Sequence, residues 1–224
     1  MGKLLTFGFI IGAIFASASL SGDYVGASSS CVNNQCVVGG SSSVGSVIVG
    51  LVIIAFLFLR PVQPTLVDTD GVVGVWRRLG AFFIDFVLVL LAISPIAALP
   101  LLIAEASYTG EFEWSFVRKF ARPSDGFFVL PAVLASFAAL YSYFFLHPLK
   151  GKQTVGEHIL GFKVIAATDV GPKPIYGTRP ITSFIGLCAW PVSVYFALRK
   201  EDKRFWWDTD SRTRAVMVSP PPGK

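Results

Sequence analysis

From residue 24 to residue 59 the chain carries no ionisable acid or base other than Tyr and Cys side chains. Residues 127–146 and 181–198 are equally free of charge, and residues 79–104 contain only Asp85. A soluble domain is typically about 25% charged, because its surface faces water. Here charged residues make up 15% of 224 and hydrophobic residues 53%, with a mean hydropathy of +0.63. The core of such a chain is built against lipid. The net charge of +5 comes from bases clustered beside apolar runs rather than along one face. This excludes a nucleic-acid partner and marks those bases as determinants of membrane orientation.

The chain divides along these runs. Lys3, an apolar stretch from Leu4 to Ala16 and the small residues Ala16-Ser17-Ala18 have the form of a secretory signal over residues 1–18, or of an uncleaved first helix. Residues 19–43 are rich in Ser and Gly and read as an exported, flexible tether. Cys31 and Cys36 lie within it, where export would let them form a small-loop disulfide. No second Cys/His pair lies near enough to complete a metal site, and Ser28-Ser29-Ser30 does not make a lipidation signal. Residues 44–60 form the first mature crossing, which Arg60 and Pro61 stop. A cytoplasmic linker, 61–74, leads to a membrane domain over 75–218, with helices at about 79–104, 127–147 and 181–198. A Pro-rich tail, 219–224, ends the chain.

Loop charges orient the helices. Arg60, Arg77 and Arg78 lie before the second crossing, and Lys150, Lys152, Lys163, Lys173 and Arg179 follow the third. By the positive-inside rule both groups are cytoplasmic, as in a bacterial inner membrane with the N-terminal tether exported. The run 181–198 has bases at both ends and Pro191 in its middle, which suits a bent in-plane or re-entrant segment rather than a crossing. The alternating runs 161–167 and 213–218 predict a small cytoplasmic β-element. The expected fold is mainly α: three transmembrane helices, the bent segment and that β-element.

Asp85 sits within an apolar segment, where an ionised carboxylate costs roughly 2.5–3.5 kcal/mol. Arg78 is seven residues before it, on the same helix face but about 10 Å away along the axis. Asp85 therefore needs another partner: a base from the C-terminal tail, Ser142, Tyr143, a backbone N–H, water or a proton.

The segment from Arg78 to Asp85, Arg-Leu-Gly-Ala-Phe-Phe-Ile-Asp, resembles the R-x-x-A-x-x-I-D signature of the RDD family of bacterial membrane proteins. Gly151, Gln153, Thr154 and Gly156, followed by Leu160-Gly161, resemble that family's G-Q-T-x-G and L-G-x-x-V elements. Trp207-Asp208 before Thr213 resembles its closing element. By this resemblance the signature triad is Arg78, Asp85 and Asp208. The chain departs from the pattern at Lys152, which is inserted, at Glu157-His158, where bases are usual, and at Arg212, where a Gly is common. The resemblance covers residues 75–218 and implies a membrane fold, with transport or ion exchange suggested for some members.

Two roles stay open for the triad. Asp85 is either a buried structural hinge or an ion- or proton-handling group. Asp208 is either the partner of Arg78 in a charge cluster or an interfacial residue beside Trp206 and Trp207. His147 and His158 have no ligand set, and Cys188 reads as inert packing. No nucleophile–base pair or carboxylate pair marks a catalytic site, so an enzyme, a metal and a cofactor are not expected. The expected function is that of a small multi-pass protein that transports or exchanges ions as a homo-oligomer or beside a membrane partner. The alternative is a non-transporting scaffold or accessory subunit in which the triad is structural.

Overall fold

The computed structural model describes residues 3–20, 26–32, 35–59, 66–120, 130–167 and 174–219. The chain forms two compact units, one from Met1–Phe7, Arg60–Phe86 and Tyr141–Lys224, the other from Gly8–Leu59 and Val87–Leu140. In chain order the elements are α1 (Lys3–Leu20), β1 (Gly26–Val32), β2 (Gln35–Ser41), α2 (Val44–Leu59), β3 (Leu66–Val72), α3 (Val75–Thr109), β4 (Ser115–Phe120) and α4 (Leu130–Leu149). They continue with α5 (Val155–Leu160), β5 (Phe162–Ala166), α6 (Thr178–Cys188), α7 (Trp190–Arg199), α8 (Trp206–Asp210) and β6 (Thr213–Ser219).

The unit built from Gly8–Leu59 and Val87–Leu140 corrects the expectation of a flexible tether. Residues 26–41 form an antiparallel hairpin of β1 and β2, and β4 adds to its edge in the order β1-β2-β4. The third strand comes from the loop after α3, far away in sequence. Gly40 stands opposite Phe116 in the register, and a Cβ on Gly40 would meet the Phe116 ring at 2.9 Å. The low hydrophobicity of the Ser/Gly stretch thus reflects backbone left bare for a ring to cover, and Val38 is fully buried. Cys31 and Cys36 are register partners in this hairpin, but their side chains lie outside the described residues, and the disulfide with them.

In the same unit α2 buries Ser46, Gly50, Ile53 and Leu57, a stripe at helical spacing. Val44, Ile48, Leu51 and Val52 are exposed on the other side, as lipid-facing residues would be. Gly50 lies against the Ala92 carbonyl and, at 3.1 Å from its would-be Cβ, the Pro95 ring. Ser42 Oγ donates to the Pro95 carbonyl at 3.0 Å.

Helix α3 is longer than its apolar run, because polar residues at both ends keep helical backbone; it continues through Pro95 and Pro100. By length and composition α3 and Ala132–Leu149 can cross a membrane, and the bent pair α6–α7 passes the same test only if taken together; α2 is a shorter apolar helix.

The other unit holds the expected β-element. β5 pairs antiparallel with β6, Phe162 opposite Met217 and Ala166 opposite Thr213. β6 also pairs with β3, so part of the expected linker is a third strand, in the order β3-β6-β5. Ser219, expected in the tail, closes β6; residues 220–224 lie outside the described residues. Val73, Ala81 and Phe162 form one apolar core under this sheet. Val75, Val194, Ala197, Phe205 and Trp207 form a second.

The run 181–198 is bent, as Pro191 suggested. α6 and α7 meet at Ala189 with a 105° bend. Pro191 stands in the first turn of α7, where its missing N–H costs nothing, but it cannot continue α6. Ser193 Oγ donates to the Gly186 carbonyl at 2.9 Å across the break. Cys188 is exposed at the bend, which corrects its expected role in packing: on a helix of this amphipathicity it falls on the apolar outer face, not the inner one.

Candidate functional site

Arg78, in the first turn of α3, is tied down from several directions. Its guanidinium forms a buried ion pair with Asp208. Its other terminal nitrogen donates to the Lys203 carbonyl at 3.1 Å, and the group lies 4.7 Å over the Phe205 ring. Asp208 sits in the short helix α8 and is fully buried. Its carboxylate also accepts from the Phe205 N–H at 3.2 Å, and Arg179 from α6 approaches it at 3.6 Å. Asp208 is therefore buried within the protein as the partner of Arg78. The two tryptophans beside it mislead, because Trp207 points inward and stacks on Phe205 at 4.2 Å, while Trp206 is the partly exposed one. Gly186 of α6 has no room for a Cβ against the Trp207 ring, so the closing element docks on the bent pair through a missing side chain.

Asp85, 1% exposed, lies two turns deeper on α3. Its Oδ1 accepts from Tyr143 Oη at 2.8 Å and from the Gly156 N–H at 2.8 Å. Tyr143 Oη in turn accepts from the Val155 N–H at 3.0 Å. Of the partners foreseen for Asp85, a tyrosine on α4 and a backbone amide supply these bonds. A carboxylate that accepts donors already oriented by packing loses less on leaving water.

The Gly151–Gly156 loop exists to present those donors. Gly151 has φ +62°, a left-handed conformation that ends α4 and that a side chain would strain. Gln153 Nε2 donates to the Phe162 carbonyl at 2.6 Å, fixing the loop to β5. Thr154 caps α5: its hydroxyl accepts from the Glu157 N–H, and Glu157 accepts from the Thr154 N–H, a capping box. Gly156 then packs onto Ala81 of α3 so closely that any Cβ would collide with the Ala81 carbonyl. Ala81 and Gly156 are thus paired by their small size, and the contact brings the Gly156 N–H to Asp85.

Around these groups lies a cavity of about 60 Å³, where one water needs about 10–15 Å³. Arg78, Asp85, Thr154, Glu157, Arg179 and Ser183 supply its polar wall, with Phe82 and Phe144 among the apolar lining. Arg179 Nε is buried with no hydrogen-bond partner among the described residues.

Glu157 and Arg179 are the residues that sequence reasoning missed. Glu157 and His158, which stand where the family usually has bases, are both buried. Burial pushes the Glu157 carboxyl up to about 7; Arg179 pulls the other way and Asp85 adds to the rise. The Thr154-x-x-Glu157 spacing was the available signal: it is the pattern of a capping box, which places Glu157 on a helix and not in a loop. Arg179 carried no signal beyond its charge.

A family profile described as "RDD family" matches residues 72–210. That span includes Arg78, Asp85, the Gly151–Gly156 loop and Asp208. No curated protein and no solved structure matches the chain.

Proposed function

Starting from the fact that this chain belongs to the RDD family, we propose that it is a multi-pass protein of a bacterial inner membrane that exchanges ions or protons through the cavity beside α3. The observation that carries this reading is the lining of that cavity: two buried carboxylates, Asp85 and Glu157, face two guanidinium groups around a space with room for water. Glu157, held at about 7, gains and loses a proton near neutral pH, which a relay between bulk water and a deeper carboxylate requires. The cavity is small and one chain offers few crossings, so the working unit is a self-associated assembly. In the orientation supported by the loop charges, α2, α3 and α4 cross, the bent α6–α7 pair enters and returns, and the β3-β6-β5 sheet is cytoplasmic. The role proposed is non-enzymatic and needs no cofactor. The test is dissipation of an imposed pH gradient by purified protein in liposomes. Wild-type protein is expected to discharge the gradient and Glu157→Gln to do so more slowly; a wild-type rate equal to that of empty liposomes contradicts the reading.

One observation favours a second reading. Arg78 and Asp208 are engaged with each other, and Asp85 accepts from Tyr143 and Gly156, so all three signature residues also act as staples between segments distant in sequence. In that reading the protein is a scaffold or accessory subunit and nothing is carried.

A further inference from the structure

A second cavity, of about 70 Å³, lies between the β3-β6-β5 sheet and the α7–α8 connection. Among the described residues its lining holds three arginines, Arg78, Arg204 and Arg214, and the carboxylate of Asp202, together with residues 71–73 and 215–216. The three guanidinium groups are not equally engaged. Arg78 is neutralised by Asp208, which does not line this cavity. Arg204 Nε pairs with Asp202 at 3.0 Å, and that carboxylate is half exposed, so water screens the pair. Arg214 forms no ion pair among the described residues, and its Nε is buried with no hydrogen-bond partner there. A buried guanidinium N–H with nothing to donate to is costly, and the cost is removed by an acceptor entering the cavity.

We propose that this cavity binds the oxygens of a phosphate group, with Arg214 as the principal ligand. The planar guanidinium fork matches two phosphate oxygens at once, a fit that an ammonium or a lone backbone amide does not provide. The surroundings place the cavity at headgroup level: Trp76, two residues before Arg78 in the first turn of α3, is 65% exposed, and Trp206 is partly exposed, and Trp favours the headgroup layer. A phospholipid headgroup and free phosphate present the same oxygens, so the experiment separates them.

The full-length protein is purified in neutral detergent. Retention of added phosphatidylglycerol against phosphatidylcholine is measured by native mass spectrometry, and uptake of inorganic phosphate by equilibrium dialysis. Wild-type protein is expected to retain phosphatidylglycerol preferentially, and Arg214→Gln to weaken that retention about tenfold, the loss of one charge-assisted contact. Arg214→Lys keeps the charge without the fork and should weaken it less. Melting of both variants is followed, and Arg214→Lys decides the matter if Arg214→Gln does not fold. Binding of phosphatidylglycerol without inorganic phosphate identifies a lipid site; Arg214-dependent binding of inorganic phosphate alone identifies a soluble phosphate ligand. The proposal is overturned if wild-type protein binds neither probe, or if both Arg214 variants bind as wild type does.

Discussion

The Gly156 N–H donates to Asp85 Oδ1 at 2.8 Å because nothing but hydrogen stands on the Gly156 Cα where α5 presses on Ala81. The close approach and the hydrogen bond are one feature. Gly156→Ala must push α5 away from the Ala81 carbonyl, at about 1–3 kcal/mol for overpacking, and it stretches a bond to a buried carboxylate as well. The expected outcome is a clear fall in melting temperature in detergent; an unchanged melt would mean that α5 does not sit on Ala81.

Arg78 and Asp208 are the other junction. Removing one member leaves the other buried and uncompensated, at about 3–5 kcal/mol, whereas removing both is milder. Arg78→Ala and Asp208→Ala should each lower the folded fraction strongly, and the double variant should lose less than their sum. Chemical denaturation of all four proteins in one detergent measures the coupling; strict additivity would contradict the pair.

Much of this was legible in the sequence, because charge in an apolar run is a strong signal. Asp85 stands out for that reason, Arg78 and Asp208 through their resemblance to the family signature, and Tyr143 was already among the partners Asp85 could take. What stayed hidden is non-local. Nothing near Gly40 announces that Phe116 will cover it, so a strand read as a tether. Nothing in the composition of residues 61–74 announces β6 as the partner of β3. Glu157 showed only as a departure from the family's usual bases, since burial is a property of what packs on it. The absent Gly at position 212 was legible as a departure, and its meaning is conformational.

Arg212 has φ +53°, in the left-handed region beyond the end of α8, which suits Gly and costs other residues roughly 1 kcal/mol. Arg212→Gly should therefore raise the melting temperature, or at worst leave it unchanged after the added flexibility of the unfolded chain. A marked fall would show that the Arg212 side chain makes a contact worth more than the strain.

The Glu157 carboxyl has a folded pKa of about 7 against 4.5 when unperturbed. Between those values the folded chain holds a proton that the unfolded chain has released, so stability should fall as pH rises from about 4.5 to about 7, then level off. Glu157→Gln keeps the cap on Thr154 and should flatten that part of the profile. Melting curves across this pH range check it; a wild-type profile that rises through the window has the wrong sign.

Cys188 lies exposed at the bend between α6 and α7. If the pair enters the bilayer and returns, this thiol should react with a membrane-permeant maleimide in intact membranes and resist impermeant reagents from either side. Full labelling by an impermeant reagent added outside would mean that the pair crosses.

The most direct test of the proposed function uses Asp85→Asn. Asparagine keeps an oxygen able to accept from Tyr143 Oη and the Gly156 N–H, so the junction with α4 and α5 survives, while the charge is lost. Proton flux and melting are measured on the same preparation, reconstituted in liposomes and held in detergent respectively. If the cavity carries protons through Asp85, the variant should melt close to wild type and discharge no pH gradient. Wild-type flux from a folded Asp85→Asn protein would contradict the account and leave the Arg/Asp set with a structural role alone.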